Sequence, residues 1–163
     1  MKRRMLLGQI SISAIFVVCL LTASANALDA TNSDRMSNLM NKGTQLQKDI
    51  LSVQKGSSQA GRAWECLNEL QNKLETILAR IEGLYSMITT ASLMNDKLDE
   101  QSVLGILNEA ATSFLNHIEI SRNGIKSTVS RCSSITVTAA KAKEILEFYD
   151  EATSVVGSIT KDR

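Results

Sequence analysis

The chain has no proline, one histidine, one tryptophan and only 4% aromatic residues. Without proline, no backbone position lacks its donor, so long helices run unbroken. A single histidine, His117, leaves any transition-metal centre short of ligands, because such sites need three or four converging donors. No C-x-x-C-H haem-attachment motif is present. Methionine with histidine (Met36 or Met40 with His117) is the remaining ligand set for a b-type haem. Methionines at helical spacing are more often core filler.

Catalytic patterns are missing too. No serine stands in a G-x-S-x-G or S-x-x-K setting. The carboxylate pairs Asp99-Glu100 and Asp150-Glu151 are adjacent in sequence, so on a helix they diverge rather than share a proton. The acidic run Asn95 to Glu100 lacks the central glycine and terminal glutamate of a calcium loop. Gly56 to Gly61 lacks the Lys-Ser/Thr pair and the preceding strand of a phosphate-binding loop. These absences argue against an enzyme and against a bound metal or cofactor. No basic stripe marks a nucleic-acid binder or a protein drawn to an anionic membrane surface. No N-glycosylation sequon occurs.

What is present begins with an export signal. Lys2, Arg3 and Arg4 precede an apolar run, densest from Ala14 to Leu21, and Ala25-Asn26-Ala27 offers small residues where a signal peptidase cuts. Residues 1–27 therefore read as a secretory signal peptide. The dense run falls short of the about 20 residues a membrane span needs. Cys19 lies inside that run, without the small-residue context of a lipidated cysteine. Three of the 18 basic residues leave with the signal, so residues 28–163 carry 15 basic against 17 acidic residues, a net charge of −2. The expected location is secreted or periplasmic.

The remaining 136 residues are long enough to bury one core. Between Ala63 and Ile88, Leu67, Leu70, Leu74, Ile77, Ile81, Leu84 and Ile88 recur in steps of three and four. That is the apolar seam of a helix packing on other helices. A first helix over about 33–55 carries Met36, Leu39, Gly43, Leu46, Ile50 and Val53 on its inner face, after a short leader from Leu28 to Asn32. The second spans about 61–91. A third over about 99–132, capped by Asp99, carries Leu104, Leu107, Ala111, Phe114, Ile118, Ile125, Val129 and Cys132. Its periodicity resumes in register across Asn123-Gly124, which predicts a continuous helix there. The seam then changes phase, and a fourth helix over about 135–158 carries Ala142, Ile145, Tyr149, Ala152 and Val156. The predicted fold is all-α: an antiparallel four-helix bundle, one domain over 28–163, built on a long helical hairpin.

Cysteine spacing supplies a geometric test. Cys66 lies 33 residues before Asp99, and Cys132 lies 33 residues after it. If the second and third helices fold back at that turn, the two cysteines meet at the open end. An exported chain with an even number of cysteines favours a disulfide between them.

The expected role is that of a non-enzymatic interaction or binding protein, with another protein or a second copy as partner. A helical carrier of a small apolar ligand or haem is the alternative. Leu78, Tyr85, Met87, Leu93 and Met94 lie beside the seam of the second helix. Buried, they thicken the core, which is the more usual outcome for such residues; exposed, they form a patch for a partner.

Overall fold

A computed structural model describes residues 10–57, 61–93 and 100–159, with side chains over 31–57, 61–91 and 105–159. The basic residues Lys2, Arg3 and Arg4, the turn at Asn95 to Asp99 and the Asp99 cap lie outside the described residues. Four helices account for the described chain: α1 (Ile10–Lys55), α2 (Arg62–Leu93), α3 (Glu100–Arg131) and α4 (Thr136–Ile159). No strand occurs among the described residues.

The helices are as long as a proline-free sequence allows. α2 and α3 have 32 residues each, about 48 Å at 1.5 Å per residue. α1 begins at Ile10, well before the Ser33 start and the Leu28–Asn32 leader that the sequence pattern gives. Ile, Val, Leu and Ala dominate from Ile10 to Ala30 without proline or glycine, so no residue interrupts the helix. α3 runs straight through Asn123-Gly124.

The breaks follow local chemistry. After Lys55 the chain closes on itself: the Gly56 amide donates to the Val53 carbonyl at 3.2 Å and the Ser57 amide to the Gln54 carbonyl at 3.0 Å. The Gly61 carbonyl then accepts the Trp64 amide at 2.9 Å and opens α2. Glu65 in the first turn of α2, and Lys55 and Arg131 in the last turns of α1 and α3, match the helix dipoles.

All seven seam residues of α2, from Leu67 to Ile88, are buried. They form one cluster with Met36, Leu39 and Ile50 of α1, Phe114, Ile118 and Ile125 of α3, and Ile145, Phe148, Tyr149 and Val156 of α4. α2 packs on each of the other helices, whereas the α1 and α3 backbones do not come within 8 Å Cα to Cα among the described residues. α2 and α4 thus share the short diagonal of the bundle.

Side-chain pairs fix the register. Between α2 and α3, the Arg62 guanidinium donates to the Arg131 carbonyl at 2.7 Å, and Glu69 pairs with Arg131. Between α1 and α4, Arg35 donates to Ser158 at 2.8 Å and Lys42 pairs with Glu151. Between α3 and α4, Arg122 pairs with Asp150 at 2.6 Å. At Gly43 the α1 backbone comes so near Phe148 that an added Cβ would lie 2.7 Å from Cζ, and nearer still to Leu78 Cδ2. Glycine is what admits this approach.

Candidate functional site

Cys66 and Cys132 form a disulfide, with Cα atoms 6.3 Å apart. Cys66 stands in the first turns of α2 beside the seam residue Leu67, and Cys132 directly follows α3, where its amide still donates to the Thr128 carbonyl at 2.9 Å. Both residues are 4% exposed. Thiol–disulfide exchange requires a thiolate to reach a sulfur, so this burial makes the bond a structural clamp.

A polar cluster adjoins the clamp. Glu69 pairs with Arg131 and, at 3.7 Å, with Lys73. Burial raises the Glu69 carboxyl, but hydrogen bonds from Thr128 and Arg131 and the charges of Arg131 and Lys73 outweigh it. The group ends below its ordinary value. Deeper in the bundle, the Tyr149 hydroxyl donates to the Lys73 carbonyl at 3.0 Å and shares a 2.8 Å hydrogen bond with Ser121 Oγ. Burial pushes this phenol up to about 12, against the opposing pull of the Ser121 hydrogen bond and the Arg122 charge. This node joins α2, α3 and α4.

Of the apolar residues beside the α2 seam, Leu78 and Met87 do not share one face. Leu78 and Tyr85 are half-buried against the core, Leu78 against Gly43 of α1. Met87 is 43% exposed. Nine residues separate Leu78 from Met87, about half a revolution round the helix at 100° per residue. Met87 therefore faces away, into a shallow groove between α2 and α3. The groove has a volume of about 280 Å³ and is walled by Arg80, Gly83, Ala110, Ser113 and Phe114. Leu93 ends α2, and its side chain and all of Met94 lie outside the described residues.

Two exposed residues were not singled out in the sequence: Ile106 at 60% and Ile120 at 68%, both on α3. With Met87 they are the large exposed hydrophobics among the described residues. Steps of seven return to nearly the same helix face, so Ile106, Ser113 and Ile120 form one stripe. Both isoleucines fall off the Ala111–Phe114–Ile118–Ile125 seam, and that phase was available in the sequence. A second depression, of about 460 Å³, flanks the stripe and is lined by Glu109, Thr112, Ser113, Asn116 and His117 among others.

No family model matches the chain, and neither a curated protein nor a solved structure does. The site must be judged on its own chemistry. Among the described residues, no group of three or more His, Cys, Asp or Glu side chains converges to hold a metal ion. His117 Nδ1 lies 2.8 Å from the Ser113 carbonyl, which fixes that nitrogen as the donor. Met36 is wholly buried in the core on α1, and His117 lies on α3. Among the described residues no helix is long and apolar enough to cross a membrane. Ile106 and Ile120 on α3, with Met87 in the α2–α3 groove, are the exposed large apolar side chains among the described residues.

Proposed function

We propose that this chain is an exported, non-enzymatic helical protein that works by binding another protein. In this reading residues 1–27 are a signal peptide removed after Ala27, and the rest acts in the periplasm, at the cell envelope or outside the cell. The helices alternate in direction, so that α2 and α3 form an antiparallel hairpin clamped at its open end by Cys66–Cys132. That clamp supports an oxidising compartment, where disulfides form and persist.

The observation that carries the binding role is the pair of isoleucines, Ile106 and Ile120, held in water on one face of a locked helix. A bundle gains nothing from holding them there, whereas an interface gains roughly 25 cal/mol per Å² of apolar surface covered.

Two measurements test this. N-terminal sequencing of protein recovered from expressing cells should begin at Leu28; a chain that retains Met1 contradicts export by cleavage. Affinity isolation from the native compartment should recover a partner with the unaltered chain and lose it with Ile120→Glu. Equal recovery by both chains removes the α3 stripe as the binding surface.

A further inference from the structure

Among the described residues, the buried polar side chains other than Tyr149 sit at one end of the bundle. Gln54 is 5% exposed, and Thr128 and Thr138 are 0% exposed. They stand in the last turn of α1, the last turn of α3 and the first turn of α4. The Cys66–Cys132 bond ties the start of α2 to the end of α3 at the same place. The short connections 56–61 and 132–135 bring α1 and α4 to it. Away from this end the core is apolar: Ile81, Phe114, Ile118 and Phe148 are at most 1% exposed.

The polar groups do little to hold their end together. The single Thr128 hydroxyl proton serves two acceptors, Glu69 and the Gly124 carbonyl of its own helix. The Gln54 amide reaches Asn68 only at 3.4 Å. Thr138 Oγ1 is buried without a hydrogen-bond partner. A polar group buried without a good partner opposes folding. The ties of Arg62 and Glu69 to Arg131 lie at the surface, where such pairs contribute little. Covalent closure is therefore the strongest tie at this end. We infer that the Cys66–Cys132 bond is a redox latch: intact, it keeps this end closed; reduced, it lets this end open while the rest of the bundle stays packed. The latch is independent of any binding at α3.

Reduction breaks the S–S bond. A dithiol reductant supplies two electrons and two protons, Cys66 and Cys132 become thiols, and the dithiol closes into its own disulfide. In the reverse step a disulfide oxidant takes the two electrons and two protons back. The two directions differ in access. With the end closed, both cysteines are 4% exposed, so a reductant waits for local opening. With the end open, both thiols face water and meet an oxidant directly. A newly made chain thus closes this end only on reaching an oxidising compartment, and it stays closed there.

Hydrogen exchange read by mass spectrometry on the full chain tests the latch. The chain is compared with the bond intact and after reduction in urea, refolding and removal of the reductant without oxygen. On reduction, protection over 50–57, 62–70 and 125–142 should drop about 100-fold or more, and over 77–88, 111–118 and 149–156 less than about tenfold. Trp64, the one tryptophan, is half-buried two residues before Cys66, and its emission should shift to the red. An equal loss across all four helices, complete unfolding included, overturns the latch, as does no loss at either end. Gln54→Met with Thr138→Val gives this end an apolar core. In that chain, reduction should lower protection at the clamp end less than about tenfold. A drop as large as in the native chain overturns the polar core as the cause of opening.

Discussion

The hydroxyl of Tyr149 in α4 donates to the backbone carbonyl of Lys73 in α2 across 3.0 Å. Ser121 of α3 closes the node at 2.8 Å, so one phenol ties three helices together in the centre of the core. Tyr149→Phe removes this link and leaves Ser121 without it. The expected loss is about 1–3 kcal/mol, read from the midpoint of urea unfolding. In a cycle with Ser121→Ala the two losses should not add, because both act on one node.

The same phenol sets an alkaline limit. Its folded pKa, pushed up to about 12, lies above the unfolded value of about 10. The neutral phenol thus contributes stability that is complete below pH about 10 and fades as pH rises toward 12. Melting temperature should fall across that window in the native protein. The fall should be shallower in Tyr149→Phe, which has no proton there to lose.

At Gly43 the expected effect is one of space. A methyl group there meets Phe148 and Leu78, and both belong to the packed interior. Gly43→Ala should cost about 1–3 kcal/mol through overpacking. Gly83→Ala is the control: its Cβ would meet nothing within 4 Å. That change should stabilise α2 by about 0.5–1 kcal/mol. Thermal melts of the two variants should move in opposite directions.

The legible part of the fold follows from periodicity. The α2 seam from Leu67 to Ile88 shows in the sequence because a long helix with a three-four apolar repeat has one way to bury it. The Cys66–Cys132 bond was legible for a related reason: the two cysteines are equally spaced about Asp99 and belong to a chain whose cysteine usage favours pairing. Other features depend on which helix sits beside which, and periodicity does not encode that. The burial of Phe148 goes with the close approach of α1 at Gly43. Leu78 and Met87 look alike as flanking apolar residues, yet one faces α1 and the other the α3 groove. Ile106 and Ile120 show the limit from the other side. Their phase was readable, but a search for apolar residues on the core stripe passes over the ones that miss it.

Replacing both cysteines by serine tests the clamp. Closing a loop of 66 residues is worth on the order of 4 kcal/mol in the chain-entropy model. Cys66→Ser with Cys132→Ser should lose about that much in denaturant unfolding, while far-ultraviolet circular dichroism stays helical. Because the sulfurs are buried, reductant should act on the native protein only at the rate at which it opens.

Acid should weaken the cluster beside the clamp. The Glu69 carboxyl is held below its ordinary value by Thr128, Arg131 and Lys73, in spite of burial. Its contribution is present above the unfolded pKa of about 4.3 and disappears as pH falls through the lower folded value. Solvent screens this half-exposed group, so the effect is small. Melting temperatures of the native chain and Glu69→Gln should differ most near neutrality and converge at acidic pH.

The central claim is that α3 presents a protein-binding face. A photo-crosslinking residue at position 120, irradiated in the native compartment, tests it most directly against the same residue at position 147 on the exposed surface of α4. The account predicts protein adducts at position 120 and none above background at position 147. Adducts at 147 but not at 120, or equal yields at both, would contradict it.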